Sequence, residues 1–425
     1  MLELKATSDR YKLVRSVFWK RLSRRRQVKG KASAQIVLKY FVVNAILLCL
    51  FLLVADLAQA ALRASSIRRQ FGQIPRYHLG QKKYRTQSSL FHHGIIPLAG
   101  PHLESWGFDP FWSFSDQYGL RSHSADASPY PKPFTLVMGD SFAEGVGVDF
   151  EKVFSSYLPG NIKNSGVISH SPVLQGARLE WLEALGESPE RLVWLIDPSD
   201  VIDEYNYQFI EGYQPPASIS YAMARAHLLE MRSRPGLDVA DVAVLERRLP
   251  GFWRALKLNL VLPRVLLGSL GVSHPKELIS GSNCDSFLDR AANQWKSSDC
   301  YNKLRKVWAV SSHPDIDSVL KKSRPLIYSA VEQQLKRNPN RRIDLVFYLW
   351  PDQITRGEAA HGPYRSFVNG FRQLAGQYKS LKVCDLTELI KPREVPSLFI
   401  SGDVHWNVQG HQRIAKGLKK CMSKP

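Results

Sequence analysis

Cysteine is scarce in this chain of 425 residues: it contains five, and no Cys-x-x-Cys pair or histidine cluster accompanies them. Zinc sites are typically built from closely spaced Cys and His ligands, so metal binding is the weaker interpretation and we predict no metal site. Cys49 lies in an apolar stretch, and the others fall as two local pairs, Cys284 with Cys300 and Cys384 with Cys421. An even number of such cysteines is typical of disulfides formed in an oxidising compartment, and we expect these two pairings.

Acidic residues are also few, with 38 Asp and Glu against 58 Lys and Arg, which gives the chain a net charge of +20. Much of the excess lies in residues 1–39, where twelve basic residues accompany only Glu3 and Asp9. The run Arg24-Arg25-Arg26 taken alone is typical of nucleic-acid binding. The apolar stretch that follows instead indicates a basic tail before a membrane segment, so we predict a cytoplasmic tail and no nucleic-acid partner.

Long apolar runs are rare, and the one that stands out covers residues 40–60, with only three strongly polar residues. About 20 mostly apolar residues are enough for a helix to span a bilayer, and dense Lys and Arg before the span place that side in the cytoplasm. A cleaved signal peptide is the alternative, because Ala58-Gln59-Ala60 has the small-x-small form of a cleavage site. A charged leader of 39 residues is long for a signal peptide, so we favour a retained signal anchor with residues 63–425 facing outward.

The most informative stretch is Phe134-Thr-Leu-Val-Met-Gly-Asp-Ser-Phe142, in which an apolar run ends at a Gly-Asp-Ser corner. Such a run, bounded by glycine, predicts a strand that is buried on both faces. The corner at Gly139 then puts the Ser141 hydroxyl at the C-terminal end of the strand, where open α/β sheets bind their ligands. A serine nucleophile needs this position; in the alternative interpretation, Asp140 and Ser141 only cap the next helix.

A second motif, Asp403-Val-His405-Trp406-Asn407, lies near the C-terminus and precedes an apolar-periodic stretch. A nucleophilic serine needs an imidazole to take its proton, and the imidazole needs a carboxylate to fix its tautomer. The two motifs together therefore predict nucleophilic catalysis by Ser141, His405 and Asp403.

Four stretches of the chain resemble the sequence blocks of the SGNH (GDSL-like) hydrolase family. They are Gly139-Asp-Ser-Phe142, Asn164-Ser-Gly-Val-Ile-Ser-His-Ser171, Asp197-Pro-Ser-Asp200 and Asp403-Val-His-Trp-Asn407. The last has the short Asp-x-His-Trp-Asn form, which is similar to that of proteins that O-acetylate bacterial exopolysaccharides. The resemblance covers residues 110–204 and 341–420, and leaves a long middle segment outside it.

This resemblance implies an α/β fold of SGNH-hydrolase type, with three αβα layers and a mainly parallel sheet. It implies an oxyanion hole made by the N–H groups of Ser141 and Ser169 with the hydroxyl of Ser199. The family usually has Gly at the place of Ser169 and Asn at the place of Ser199, so the chain departs from the family at both. No cofactor is needed for this chemistry.

Further residues in or beside these motifs are expected to contact substrate. They are Asp140, His170, Trp406 and Asn407. For His170, a solvated position in its loop is the alternative that we favour.

Strands and helices alternate on both sides of the middle segment. The pattern predicts helices at residues 172–185, 323–336 and 364–378, with strands at 191–196, 343–349 and 381–386. Alternation of this kind indicates right-handed βαβ units and a mainly parallel sheet.

The domain organisation follows from where this alternation stops. We predict a lead-in segment at 61–130 and an SGNH-like domain at 131–425, which a helix-rich insertion interrupts at residues 205–322. The aromatic stretch 106–112 either stacks on sugar rings or packs on the flank of the domain, and we favour packing. The basic amphipathic stretch 252–262 either lies on the membrane or packs against the sheet domain, and we again favour packing.

These observations together predict a single-pass protein of the bacterial inner membrane with its catalytic domain in the periplasm. The domain would hydrolyse or transfer acetyl or other acyl esters of a cell-envelope or secreted polysaccharide. Its expected partners are the bilayer, that polysaccharide or acyl-ester substrate, and proteins of polysaccharide biosynthesis. Two alternatives stay open: a glycan-binding or polysaccharide-assembly component whose oxyanion hole has decayed, and a lipid esterase.

Overall fold

The computed structural model describes residues 40–59, 61–62, 84–106, 109–233, 314–356, 362–400 and 403–423. Several predictions concern residues outside these ranges. They are the cytoplasmic tail, most of the helix-rich insertion with its amphipathic stretch, and the Cys284–Cys300 disulfide.

Helix α1 (Tyr40–Gln59) is 20 residues long and has a mean hydropathy of 2.6. Among the described residues it is the one helix that is long and apolar enough to cross a membrane, and most of its side chains are exposed. A retained anchor and a signal sequence both need such a helix, so α1 fits either interpretation of the sequence.

The described residues form two sheets. Their strands are β1 (Arg85–Ser88), β2 (His92–Ile95), β3 (His102–Trp106), β4 (Asp109–Ser115), β5 (Arg121–Ser122), β6 (Thr135–Met138), β7 (Ile162–Asn164), β8 (Arg191–Ile196), β9 (Arg342–Phe347) and β10 (Leu381–Asp385). Strands β1 and β2 pair as an antiparallel hairpin, and the other eight form one sheet in the order β10-β9-β8-β6-β7-β5-β4-β3.

The central part of the large sheet is parallel. Strands β10, β9, β8, β6 and β7 all run in the same direction, with Met138 opposite Trp194 and Ile196 opposite Phe347. This confirms the predicted α/β class and parallel sheet. Strands β5, β4 and β3, from the predicted lead-in segment, extend the sheet at one edge by antiparallel pairing.

Helices follow the parallel strands, as the alternating pattern predicts. They are α2 (Ser141–Glu144), α3 (Pro172–Ala184), α4 (Asp200–Tyr205), α5 (Tyr221–Ser233), α6 (Pro314–Arg337), α7 (Pro351–Arg356), α8 (Pro363–Ala375), α9 (Val395–Leu398) and α10 (Val408–Met422). Pro172 stands at the first turn of α3 and Pro363 at that of α8, where a missing N–H costs no helical hydrogen bond.

The helices pack on both faces of the sheet, which gives three layers. On one face, Trp194 of β8 donates a hydrogen bond to Gln175 of α3, and Phe347 of β9 packs on Phe371 of α8. Cys384 of β10 lies opposite Val346, the neighbour of Phe347 in β9, so it points to the other face. That face is covered by α10, to which Cys384 is bonded covalently.

The disulfide between Cys384 and Cys421 joins β10 to α10, with the two Cα atoms 5.8 Å apart. The sequence predicts this pairing, and the structure confirms it. A disulfide is typical of proteins outside the reducing cytoplasm, so the bond fits an extracytoplasmic domain.

Candidate active site

The corner that carries Ser141 requires a glycine before it. Gly139 has φ +150°, and a Cβ at this position would lie 2.6 Å from the Cβ of Ala143 and 3.0 Å from that of Leu195. The next residue, Asp140, caps α2 by accepting a hydrogen bond from the Phe142 N–H at 3.0 Å. Strand β6 therefore ends abruptly and leaves Ser141 at the C-terminal edge of the parallel sheet.

His405 and Asp403 meet Ser141 although 264 positions separate the serine from the histidine. His405 Nε2 lies 2.7 Å from Ser141 Oγ, and His405 Nδ1 is in hydrogen-bond contact with Asp403 Oδ1. The carboxylate of Asp403 accepts a hydrogen bond from the Nδ1–H of His405. This fixes the tautomer with a lone pair on Nε2, which faces the serine hydroxyl. The imidazole is thus oriented as a general base toward Ser141.

Backbone pairing and ring packing fix the position of His405. Asp403 also accepts from the His405 N–H at 3.0 Å, and the His405 carbonyl accepts from Ile400 N–H at 2.8 Å. The ring of Phe142 lies against the imidazole with centroids 4.7 Å apart. Both Ser141 and His405 are only 6% exposed, so the pair is held in a nearly closed environment.

The loop after β7 places Ser169 in an unusual conformation. The His170 N–H donates to the Val167 carbonyl, and Ser169, the third residue of this turn, has φ +59°. This is the geometry of a type II turn, whose third position favours glycine. The family that the sequence resembles has glycine at this place, so the observed backbone accounts for that preference.

The same loop packs directly on α2. A Cβ at Gly166 would lie 2.1 Å from the Glu144 nitrogen, so no larger residue fits this approach. The Val167 N–H donates to the Gly139 carbonyl at 3.1 Å. Within the described part of the chain, the N–H groups of Ser141 and Ser169 have no hydrogen-bond partner, as donors reserved for a ligand would require.

Ser199 follows β8, the strand that pairs with β6, and is fully buried. Its N–H donates to Asp197 Oδ1 at 2.6 Å and is therefore engaged. Its hydroxyl is buried and has no hydrogen-bond partner among the described residues, so it is the group that Ser199 offers as a donor. Burial, with the nearby carboxylates of Asp140 and Asp197, raises the pKa of Asp200 well above its usual value.

The residues that are expected to contact substrate lie mainly in packing positions. Trp406 is fully buried, with its ring 4.8 Å from that of Phe142 and 4.7 Å from that of Tyr348. Asn407 caps α10 through the Gly410 N–H and donates to the Ser397 carbonyl. Asn407 thus uses its side chain within the protein, whereas Trp406 packs in the core and its indole Nε1–H has no hydrogen-bond partner among the described residues.

The position of His170 departs from both interpretations of the sequence, since its side chain is fully buried and neither solvated nor open to a ligand. Burial, with His93 and Arg178 nearby, lowers its pKa well below the usual value. Its neutral ring donates through Nε2 to the His93 carbonyl at 2.6 Å. Asp140 is also buried, and its carboxylate caps α2 beside the nucleophile.

Sequence reasoning missed the residues that hold the loop after β7. Glu144, His93 and Tyr207 each make a hydrogen bond to its backbone, at Ile168 or Ser169. Of these three, only Glu144 lies close in the sequence to a recognised motif, because it is the last residue of α2, the helix that begins at Ser141. His93 belongs to the β1–β2 hairpin, which lies outside the stretches that resemble the family. In the described residues, no three His, Cys, Asp or Glu side chains are grouped as metal ligands.

Comparisons with known proteins add little to this geometry. No family model matches the chain, and no curated protein matches it. Among solved structures, the chain is similar to one from Streptococcus pneumonia, described as that of a proposed platelet activating factor. The identity is 11%, the match covers 69% of this chain and 86% of that one, and the TM-score is 0.32. The function is therefore inferred from the arrangement of the residues.

Proposed function

We propose that this protein is a serine esterase or O-acyltransferase of SGNH type that acts on acyl esters. One observation carries the proposal: His405 Nε2 lies 2.7 Å from Ser141 Oγ, while Asp403 holds the other ring nitrogen. A nucleophile, a base and a group that orients the base are the parts that acyl transfer needs.

In the first half of the reaction, Ser141 Oγ attacks the acyl carbonyl and His405 Nε2 takes its proton. When the ester C–O bond breaks, His405 gives that proton to the departing alcohol oxygen, and the acyl group stays on Ser141. In the second half, a water molecule or a sugar hydroxyl attacks the acyl-serine and His405 takes its proton. Hydrolysis and transfer share the acyl-serine intermediate, and differ in the hydroxyl that accepts the acyl group.

The negative charge that forms on the carbonyl oxygen needs donors that are already in place. The N–H groups of Ser141 and Ser169 and the hydroxyl of Ser199 are the candidates, since each lacks an internal partner among the described residues. Loss of one well-held donor in such a hole typically costs about a hundredfold to a thousandfold in kcat. Ser199 supplies a rotatable hydroxyl, so we expect it to contribute less than the two backbone donors.

We further propose an acetylated polysaccharide of the cell envelope as the substrate, which the short Asp-x-His-Trp-Asn motif favours. A cavity of about 410 Å³ beside β4 suits a sugar, because it combines aromatic rings with carboxylates. Its lining includes Trp112, which is 44% exposed, with Phe150 and Asp149. Phe111, next to Trp112, forms with Val146 an apolar cluster against which Ile168 of the Ser169 loop packs.

The proposed location is the outer side of a bacterial inner membrane, anchored by α1. The apolar length of α1 and the disulfide of the domain both support it. Proteins of polysaccharide biosynthesis are the partners that such a location and substrate imply.

A second candidate is a glycan-binding protein that has kept the fold and lost activity. The departures at Ser169 and Ser199 favour it, since a buried Ser199 hydroxyl replaces the amide that the family uses. The contacts among Ser141, His405 and Asp403 favour an active enzyme over this second candidate.

The test is kcat/KM on 4-nitrophenyl acetate for the whole chain and two serine variants. Ser141→Ala should remove the activity, because it removes the hydroxyl that lies 2.7 Å from His405 Nε2. Ser323→Ala is the matched control: Ser323 is also buried, but its hydroxyl bonds to the Val319 carbonyl within α6. Equal activity in Ser141→Ala and the wild type would overturn the proposal. Adding acetylated xylan and an unacetylated glycan then separates hydrolysis from transfer.

A further inference from the structure

Side chains engage almost every backbone group of Ile168 and Ser169. The Ile168 N–H donates to Glu144 Oε2 at 2.8 Å, and the Ile168 carbonyl accepts from His93 Nε2 at 2.7 Å. The Ser169 carbonyl accepts from the Tyr207 hydroxyl at 2.8 Å. The Ser169 N–H is the one group of these four without a partner among the described residues.

The bond from His93 determines where that free N–H points. The Ile168 carbonyl and the Ser169 N–H belong to one planar trans peptide, so they point in opposite directions. At the centre of a turn such a peptide can rotate as a unit, and type I and type II turns differ by this rotation. By holding the carbonyl, His93 therefore holds the N–H on the opposite side and opposes the flip.

The contact between His93 and this turn is reciprocal. The His93 side chain bonds to the turn at Ile168, and the His170 side chain of the turn bonds back to the His93 carbonyl at 2.6 Å. The two imidazole rings are 4.6 Å apart. A low pKa keeps the buried His170 neutral, so it donates through Nε2 without adding a buried charge. Two hydrogen bonds, one in each direction, thus connect the hairpin to the turn.

The hairpin is also tied to α2 beside the nucleophile. Arg85 of β1 forms a buried ion pair with Glu144, with two contacts of 3.0 and 2.5 Å. Glu144 in turn accepts from the Ile168 N–H. Through Glu144, the hairpin, α2 and the turn are therefore connected to one another. Breaking the ion pair would leave an uncompensated buried charge, so this connection is costly to lose.

We propose that His93 is a positioning residue that holds the Ile168–Ser169 peptide so that the Ser169 N–H serves as an oxyanion donor. This rests on the proposed function, because it assigns the donor of that reaction. It also gives the β1–β2 hairpin, which lies outside the stretches that resemble the family, a role at the site.

The test measures kcat and KM on 4-nitrophenyl acetate for the whole chain and three variants. His93→Leu removes the donor to Ile168 and should lower kcat about 10- to 100-fold with KM within about threefold, because the lost donor acts in the transition state. His93→Gln keeps an N–H donor and should return kcat to within about fivefold of the wild type. His227→Leu is the matched control: His227 is also buried and bonds to the same hairpin at Ser88, 2.9 Å away.

The outcomes separate this proposal from the proposed function. The proposed role of His93 is supported if kcat falls in His93→Leu, returns in His93→Gln and stays unchanged in His227→Leu. An unchanged kcat in His93→Leu, or an equal loss of kcat in His227→Leu, overturns the positioning role of His93 and leaves the proposed esterase function untouched. A wild type with no activity on the ester, and no Ser141-dependent labelling by a fluorophosphonate, overturns both.

Discussion

At the residue scale, Ser169 carries a backbone conformation that its side chain disfavours. A residue other than glycine at φ near +60° costs about 1 kcal/mol, because its Cβ approaches the carbonyl oxygen. We therefore expect Ser169→Gly to raise the free energy of unfolding by about 0.5–1 kcal/mol, while the proposed esterase activity stays within about twofold of the wild type. Chemical denaturation measures the first quantity and kcat/KM the second.

The control for this prediction is Ser423→Gly. Ser423 ends α10 with φ −79°, a conformation in which glycine gains nothing and loses chain entropy. Ser423→Gly should therefore be no more stable than the wild type. A Ser169→Gly protein that is likewise no more stable than the wild type would show that the backbone is not strained at Ser169.

The sequence predicts chemical groups better than it predicts which way side chains face. Ser141, His405 and Asp403 could be grouped because acyl transfer requires those three types of group together. Trp406 and His170 stand beside the same motifs and look available, but both are fully buried. Their burial depends on Tyr348 and His93, which lie far from them in the chain, and no local pattern reports such contacts.

At the element scale, the covalent link between β10 and α10 should stabilise the domain measurably. A disulfide that closes a loop of this length typically contributes about 2–4 kcal/mol, and 37 positions separate Cys384 from Cys421. We expect Cys421→Ser to lower the free energy of unfolding by about this amount, in urea denaturation under oxidising conditions. Cys49→Ser replaces a free cysteine in α1 and should leave the free energy of unfolding unchanged. Equal stability of all three proteins would contradict the prediction.

Helix α10 also carries a buried histidine that makes stability depend on pH. Burial lowers the pKa of His411 to about 3, and its Nδ1 accepts from the Phe154 N–H at 3.3 Å. In the unfolded chain a histidine titrates near pH 6.5. As the pH falls below that value, the unfolded chain binds a proton that the folded protein refuses, so stability is lost.

His411→Asn removes the titrating group, so comparing the stability of this variant with that of the wild type isolates the contribution of His411. We expect the stability advantage of the wild type over the variant to shrink by about 2 kcal/mol between pH 7 and pH 5. Urea denaturation at the two pH values measures it. A difference that is the same at both pH values would mean that His411 binds a proton as readily in the folded protein as in the unfolded chain.

Element boundaries in the sheet domain follow from the sequence more closely than accessory elements do. The predicted strand at 191–196 and helix at 172–185 match β8 and α3 within one residue, because apolar runs and a proline at a helix start are local signals. The sequence of the β1–β2 hairpin contains no apolar run or turn motif that predicts it. Its sequence, from Arg85 to Ile95, is mixed in polarity, and its role depends on contacts with α2 and the turn of Ser169.

At the scale of the whole molecule, the parallel sheet explains why distant motifs form one site. The C-terminal ends of β6, β7 and β8 lie side by side, so the residues after them, Ser141, Ser169 and Ser199, come from neighbouring loops. This grouping could be predicted from the alternation of strands and helices. The edge strands β5, β4 and β3 could not, because their antiparallel pairing depends on long-range contacts rather than on a local period.

The central claim, that Ser141 is an activated nucleophile, is tested most directly by a fluorophosphonate probe. The probe reacts with a serine whose proton is taken by a neighbouring base and releases fluoride. Peptide mapping of the labelled whole chain should locate the adduct on Ser141 alone, and both Ser141→Ala and His405→Ala should lose it. A wild-type protein that stays unlabelled, or an adduct that persists in Ser141→Ala, would contradict the account.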